Sequence, residues 1–363
     1  MKQHPMGLMV MISPTTRCNL ACKYCYVKKD NCSKEYTDMT IKDIKAIYQW
    51  IHQYLTLLNC DYLEIEWFGG EPFLVGLDFL SEAIELQKSV FGPGLHLTNR
   101  IQTNFTLISD AHVPFIKKFF DGHISGSYDF GSDARVFPNG DDASPVIVDK
   151  IRKLIEEGIE LGIVCTLTKR NVNRIDELFS FFKGLGCNFR VNRATKFSGV
   201  NYDDFLTNEE YVKAMKHLFD LYLADSNPTI VLSNFCMMVK RVLRGDNIFC
   251  VGTSYPEYHL AFESHGRVFS RCRITGQFGN IYQDSPQVIQ KRLSDMASCG
   301  NKVEKCLKCK FYSSVCEGPC FGESNLDCDS SNCGYRGEIS LELWEYVESV
   351  LSNNGIAPES IKE

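Results

Sequence analysis

With 45 acidic and 39 basic side chains among 363 residues and a net charge of −6, the chain lacks the basic excess that phosphate neutralisation demands, so nucleic acid is not an expected partner. No apolar run nears the roughly 20 residues that span a bilayer, and the segment after Met1 has no basic n-region leading into an apolar h-region and cleavage site. Membrane attachment and export are therefore set aside, and a cytoplasmic location is expected. The length suits a barrel-sized domain plus a smaller one. Cysteine is the unusual feature: there are 17, an odd number. In a reducing compartment, metal–sulfur ligation accounts for them better than disulfides do. Cys60, Cys165 and Cys187 stand in apolar settings and read as buried small hydrophobes.

Residues 7–13 form a short apolar run closed by Pro14 and read as a buried strand. The run feeds directly into Cys18, Cys22 and Cys25, spaced C-x3-C-x2-C, with Tyr24 just before the third sulfur. Thiolates are the ligands of iron–sulfur clusters, and four of them normally close a four-iron cube. Three held this close leave one iron open to the amino and carboxylate groups of a small molecule. Half of a zinc site or part of a disulfide knot is the alternative, because C-x2-C alone is a common zinc spacing. The arrangement resembles the radical SAM superfamily, whose members reduce bound S-adenosylmethionine to a 5′-deoxyadenosyl radical. That resemblance implies a [4Fe–4S] cluster on Cys18, Cys22 and Cys25 at the C-terminal end of a strand, where β/α barrels keep their chemistry.

Thr40 and Asp43 make a capping box, and Ile41, Ile44, Ile47, Tyr48, Ile51 and Leu55 follow at helical spacing. Residues 61–68 then alternate Leu63, Ile65 and Trp67 against Glu64 and Glu66. Buried parallel strands are usually apolar on both faces, so two acids on one face point to solvent or to a polar barrel lumen. Salt bridges or exposure explain them more simply than catalysis does. The strand ends in Gly69, Gly70, Glu71 and Pro72. Two glycines let the backbone approach a ligand closely, and Glu71 offers acceptors for an ammonium group, although tight turns use the same residues. In the superfamily that the cysteines resemble, the matching segment binds the amino group of the methionine moiety.

The βα rhythm continues with strands expected at 96–104, 123–128, 161–168 and 188–192. Helices are expected at 77–90, 108–120, 146–157 and from Val172 to Phe182. Strands alternating with helices imply a parallel sheet with right-handed crossovers. The expected fold class is α/β, a partial (β/α)6 TIM-like barrel over residues 1–200, with six strands rather than eight as the resemblance implies. Residues 101–104 and Ser127-Tyr128-Asp129 are similar to the third- and fourth-strand ends of peptide- and protein-modifying members. The resemblance places Tyr24, Asn104, Ser127 and Arg135 around S-adenosylmethionine, with Ser127 and Arg135 on its carboxylate or ribose. An arginine fork suits a carboxylate; a plain surface-loop role for Arg135 is the alternative. The long polar stretch 126–144 reads as a substrate-side flap.

Residues 201–248 read as a helical bridge: Thr207 and Glu210 cap one helix, and Met237, Met238, Val242 and Leu243 mark a second. Residues 249–337 hold Cys250, Cys272, Cys306, Cys309, Cys316, Cys320, Cys328 and Cys333. They resemble the SPASM domain, a small C-terminal extension with two auxiliary [4Fe–4S] clusters. The resemblance assigns Cys306, Cys309, Cys316 and Cys333 to one cluster and Cys250, Cys272 and Cys320 to the other. Zinc on the C-x2-C and C-x3-C pairs is the alternative, and it leaves Cys250, Cys272 and Cys333 without a role. Residues 338–363 form a helix and tail. Two departures stand out. Sulfatase-maturing relatives carry a further cysteine where this chain has Pro256, so the first auxiliary cluster keeps an open iron or is closed by Cys299 or Cys328. They also carry an acid where this chain has Arg273, which cannot accept a proton.

The resemblance implies an oxidoreductase with three [4Fe–4S] clusters and S-adenosylmethionine. It would abstract a C–H hydrogen from a ribosomally made precursor peptide and close a thioether or carbon–carbon crosslink, passing an electron to the auxiliary clusters. Flavodoxin or ferredoxin is the expected electron donor. With about ten residues before the first strand, leader recognition is expected from a separate leader-binding protein or from the barrel mouth. Oxidation of a protein Cys or Ser side chain, small-molecule dehydrogenation, and a non-catalytic iron–sulfur or zinc module are the alternatives. The last has no use for residues 69–72.

Overall fold

The computed structural model describes residues 7–25, 27, 37–194, 202–244, 256–270, 276–299, 308–311 and 341–356. Strand β1 (Leu8–Ile12) is followed in order by β2 (Tyr62–Trp67), β3 (His96–Thr103), β4 (His123–Ser127), β5 (Glu160–Leu167) and β6 (Asn188–Arg193). Each pairs in parallel with the next. Helices α1 (Ile41–Leu58), α2 (Leu77–Phe91), α3 (His112–Phe119), α4 (Ser144–Glu156) and α5 (Ile175–Leu185) form the crossovers. This is the partial (β/α)6 barrel expected from the strand and helix rhythm. Thr40 caps α1 as expected: its hydroxyl accepts from the Asp43 N–H at 3.2 Å, and the Asp43 carboxylate accepts from the Thr40 N–H at 2.8 Å.

The alternation in β2 explains the two layers. Leu63, Ile65 and Trp67 are fully buried against the helices, so Glu64 and Glu66 face inward to the barrel lumen. Paired residues of parallel neighbours share a face. The register Met11–Glu66–Arg100 therefore continues the inner surface, as Gln102–Ser125–Gly162 does further along. The inner surface is largely polar. Glu64 takes a hydrogen bond from the Tyr62 hydroxyl at 3.4 Å and lies 3.8 Å from Arg100 Nε, which agrees with the salt-bridge reading of that acid.

Two features were not legible in the sequence. The strand after the helical bridge, β7 (His259–Glu263), pairs in parallel with the free side of β1, and β8 (Arg267–Ser270) and β9 (Gln277–Asn280) extend the same sheet antiparallel. The boundary expected near residue 249 is therefore no break in the sheet. At the opposite edge, the chain at residues 231–234 covers β6. The Phe189 N–H donates to the Val231 carbonyl at 3.1 Å, and the Asn234 side chain bonds both backbone groups of Val191, at 2.7 and 2.9 Å. An open strand edge is thereby closed to other chains.

Beyond the barrel, α6 (Asn208–Ala224) starts at the expected Thr207–Glu210 capping box. It is followed by α7 (Ser233–Arg244), α8 (Pro286–Cys299) and α9 (Leu341–Asn353). Trp50 and Tyr54 on α1 donate across to the carbonyls of Asp284 and Glu257, both at 3.0 Å. Helix α9 ties back to α6 through Tyr346 and Asp220 and through Lys216 and Glu342.

A buried polar network staples β2 and β3 to the helical layer. Asn99 Oδ1 accepts from Trp67 Nε1 at 3.0 Å and from Gln87 Nε2 at 2.9 Å, and Asn99 Nδ2 donates to Gln87 Oε1 at 2.8 Å. Tyr48 accepts from Gln87 and donates to the Ala83 carbonyl. An Asn99→Leu substitution strands the indole N–H and the Gln87 amide among apolar neighbours. It is expected to destabilise the chain by about 2–3 kcal/mol, read as a lower urea midpoint at unchanged slope.

Candidate active site

The cysteine loop begins where β1 ends, and the end of β1 is held from both sides. The Ser13 N–H donates to the Phe262 carbonyl of β7 at 3.0 Å, and the Phe68 N–H donates to the Ile12 carbonyl at 2.9 Å. Thr15 and Arg17 then close on Asp38: the Thr15 hydroxyl donates to Oδ1 at 2.6 Å, and Arg17 reaches both carboxylate oxygens, at 2.9 and 2.5 Å. Burial pushes the Asp38 carboxyl up, but the Arg17 and Thr15 hydrogen bonds and the Arg17 charge together outweigh it and hold the group below the ordinary carboxylate range.

Residues 69–71 lie directly on the loop. The Gly70 N–H donates to the Thr15 carbonyl at 3.1 Å and the Glu71 N–H to the Arg17 carbonyl at 2.8 Å. Gly69 has φ +134°, and a Cβ on Gly70 would sit 1.9 Å from the Arg17 carbonyl oxygen. Both glycines are required by this approach. Glu71, expected to offer acceptors to an ammonium group, instead turns inward and is fully buried. Its Oε1 accepts from the Phe73 N–H at 3.2 Å and the Thr103 hydroxyl at 2.8 Å, and its Oε2 accepts from the Asn104 N–H at 2.7 Å. The side chain joins the end of β2 to the end of β3. Burial lifts its carboxyl to about 7, opposed by those three donors.

Asn104, so positioned, sends its amide to Asn19 Oδ1 at 2.9 Å and to Cys18 Sγ at 3.7 Å, while the Leu20 N–H reaches Cys18 Sγ at 3.4 Å. The opposite side of the loop runs along residues 134–136: Ala21 N–H to the Val136 carbonyl at 2.7 Å, Lys23 N–H to the Ala134 carbonyl at 2.9 Å. The expected flap is thus, in this part, a packed wall. Arg135, for which a surface role was the alternative, is buried. Its Nε lies 2.8 Å from Asp129 Oδ2, its Nη2 donates to the Tyr24 hydroxyl at 2.8 Å, and its Nη1 lies 3.9 Å from Cys22 Sγ. Tyr24 also donates to Asp129, and Asp129 Oδ1 accepts from the Thr166 N–H at 2.8 Å. Tyr202 packs edge-on against the Tyr24 ring at 6.2 Å. Ser127 stands on the inner surface and accepts from Gln102 Nε2 at 2.9 Å.

The structure therefore brings Cys18, Cys22, Cys25, Tyr24, Gly69, Gly70, Glu71, Pro72, Asn104, Ser127 and Arg135 to the C-terminal end of the strands. Asp129 and Asp38 were not singled out from the sequence. Asp129 stands in the fourth-strand segment that was noted; nothing local marks Asp38. Of the C-terminal cysteines, Cys309 is half-buried on a short segment whose Phe311 packs against Trp344 of α9. Cys250, Cys272, Cys306, Cys316, Cys320 and Cys333 lie outside the described residues.

The three N-terminal thiols fit a cluster. They form no disulfide and are partly accessible, and burial pushes the Cys22 thiol up to about 11, with Arg135 pulling down and Cys25, Asp129 and Cys18 pushing up. Three thiolates are three of the four ligands that a four-iron cube takes.

Residues 12–182 match the sequence model of the Radical SAM superfamily. That stretch is a radical SAM domain. Such a domain goes with S-adenosylmethionine and one [4Fe–4S] cluster, and the cysteine loop carries thiols that fit the cluster. The cysteine-type anaerobic sulfatase-maturating enzyme of Clostridium perfringens (strain 13 / Type A) is 24% identical over 366 residues, covering 95% of this chain and 98% of the relative. The serine-type anaerobic sulfatase-maturating enzyme of Klebsiella pneumoniae is 40% identical over 106 residues, 29% of this chain and 25% of the relative. Among solved structures, anSMEcpe with bound AdoMet superposes with a TM-score of 0.80 at 21% identity, covering 98% of this chain and 100% of that one. Streptococcus suis SuiB bound to S-adenosylmethionine gives 0.62 at 18% identity, covering 88% and 74%. These superpositions establish a shared fold. No helix among the described residues is long and apolar enough to cross a membrane.

Two predictions follow from the Gly70 and Glu71 contacts. Gly70→Ala is expected to reduce iron incorporation at least several-fold while leaving the far-ultraviolet circular dichroism intact, because the clash is local to the cysteine loop. Glu71 holds a proton in the folded chain over the interval from about 4.5 to about 7 in which the unfolded chain has lost it. The burial penalty is therefore absent below the lower value and fully felt above the upper one. Wild-type stability should fall by about 3 kcal/mol across that window, and Glu71→Gln should flatten the slope.

Proposed function

We propose that this radical SAM enzyme modifies a peptide substrate made on the ribosome, removing a hydrogen atom from a C–H bond and closing a thioether or carbon–carbon crosslink. The observation that carries this reading is the polar inner surface of the barrel, which runs from Glu66 and Gln102 to Ser127 and opens onto the cysteine loop. Such a surface offers hydrogen bonds to a peptide backbone and side chains. A [4Fe–4S] cluster on Cys18, Cys22 and Cys25 would supply the electron that cleaves S-adenosylmethionine to the hydrogen-abstracting 5′-deoxyadenosyl radical. The chain's own residues hold and orient. Gly69 and Gly70 bring backbone against the loop, Glu71 fixes that strap to β3, and Asn104 lies at Cys18. Ser127 stands on the lumen side, and the wall at residues 129–136 limits access of water to the loop.

The reading includes two auxiliary [4Fe–4S] clusters, on Cys306, Cys309, Cys316 and Cys333 and on Cys250, Cys272 and Cys320, within residues 249–337. It also includes a flavodoxin- or ferredoxin-type electron donor and leader recognition by a separate protein or by the barrel mouth. SuiB has been solved bound to its precursor peptide SuiA, which supports a peptide as the substrate class. A second reading, oxidation of a Cys or Ser side chain in a protein, is favoured by the cysteine-type sulfatase-maturating relative that spans nearly the whole of both chains. Arg273, standing where those relatives are expected to carry an acid, weighs toward crosslinking.

After anaerobic reconstitution, about twelve irons per chain are expected, falling to about eight when Cys18, Cys22 and Cys25 are replaced by Ala. Deoxyadenosine release with reductant should vanish in the same variant. Iron near four with bound zinc would remove the auxiliary clusters from the proposal. Mass spectrometry of a Cys-bearing peptide separates the two readings. Crosslinking retains the sulfur and joins two residues, whereas side-chain oxidation of cysteine loses the sulfur and joins none.

A further inference from the structure

We propose that Arg135 is a positioning residue that sets the reduction potential of the N-terminal cluster by acting on Cys22. This rests on the reading of Cys18, Cys22 and Cys25 as cluster ligands. The sequence expectation had Arg135 reaching for the carboxylate or the ribose of S-adenosylmethionine, and a carboxylate wants an open fork. The structure holds the guanidinium differently. It is 8% exposed, with its Nε 2.8 Å from Asp129 Oδ2 and its Nη2 2.8 Å from the Tyr24 hydroxyl. Asp129 is itself anchored to the backbone of β5 at Thr166. The remaining terminal nitrogen, Nη1, lies 3.9 Å from Cys22 Sγ. The cation is the member of the ion pair that touches the sulfur, and Asp129 and Tyr24 hold it there.

Cys22 is not alone in this. Asn104 Nδ2 lies 3.7 Å from Cys18 Sγ and the Leu20 N–H 3.4 Å from the same atom. Three donors thus reach two of the three sulfurs. Donors aimed at sulfur stabilise a thiolate-bound cluster most in its more negative, reduced state, and so raise its potential. Burial strengthens the effect, because the guanidinium charge is poorly screened there. Arg135 carries a full charge and Asn104 only a dipole, so Arg135 should be the stronger of the two.

The test is a spectroscopic redox titration of the reconstituted full-length chain, followed by electron paramagnetic resonance without S-adenosylmethionine. The Cys18/Cys22/Cys25→Ala chain identifies which signal belongs to the N-terminal cluster. In Arg135→Gln, the ratio of reduced to oxidised N-terminal cluster at a fixed potential is expected to fall about tenfold, a one-electron shift of about 59 mV to more negative values, with iron content retained. Asn104→Leu should shift the same way by less. An unchanged potential in Arg135→Gln with iron retained overturns the proposal. Unchanged potential joined to lost S-adenosylmethionine binding would also overturn it, and would assign Arg135 to the cofactor's carboxylate. If Arg135→Gln loses iron, Asn104→Leu decides: a negative shift supports the mechanism and no shift overturns it. If the triple alanine chain loses no signal, the cluster assignment itself falls, a result distinguishable from failure at Arg135 alone.

Discussion

Between Ser13 and Cys25 the chain forms no helix or strand, so the cysteine loop owes its shape to hydrogen bonds borrowed from its neighbours. Gly70 and Glu71 donate to the carbonyls of Thr15 and Arg17, and Ala21 and Lys23 donate to the carbonyls of Val136 and Ala134. Backbone groups taken out of water must find partners, and here the partners come from two strand ends far apart in sequence. The loop is consequently clamped between the end of β2 and the segment beyond β4. The side chains around it follow from that clamp: Glu71 can bridge to β3, and Arg135 can reach Cys22, because the backbones are already in contact.

Two buried carboxylates serve this arrangement in contrasting ways. Glu71 faces only neutral donors, and burial dominates, leaving its carboxyl raised to about 7. Asp129 has a full cation at 2.8 Å in addition to the Thr166 amide. A buried pair of that kind gains little net stability, since desolvation offsets the attraction, but removing either partner leaves an uncompensated charge. It fixes geometry more than it adds stability. In Asp129 that geometry concerns the cysteine loop directly, through Tyr24 and Arg135.

Much of the barrel could be read from periodicity, because its signals are local. The Thr40–Asp43 and Thr207–Glu210 boxes start helices where expected, and the alternation of Leu63, Ile65 and Trp67 with Glu64 and Glu66 names both faces of β2. Strands β8 and β9, of four residues each, and the five-residue β7 are too short for a period to show. Their partners are set by long-range pairing with β1, which no local pattern encodes. The same limit applies within the site. Cysteine spacing and the two glycines carry their chemistry in one stretch, whereas Asp38 and Asp129 acquire their roles only when Arg17 and Arg135 are folded against them. The inward turn of Glu71 is another such case: its residue type suggested a free acceptor, and its three donors come from segments that meet only in the folded chain.

The parallel pairing of β1 with β7 has a consequence in time. Strand β2, one partner of β1, is synthesised about 50 residues after it, but the partner of its other edge, His259–Glu263, comes roughly 200 residues later still. At ribosomal speeds of about 5–20 residues per second, that edge stands open for about 10–40 s. During the interval the strand that delivers the cysteines has a row of unsatisfied amides beside it, and the Ser13 amide lacks the Phe262 carbonyl that will fix the start of the loop. The thiols are therefore made early and organised late. Chaperone capture or oxidative damage in that interval would act on a nascent chain whose sulfur ligands exist before the scaffold that aligns them.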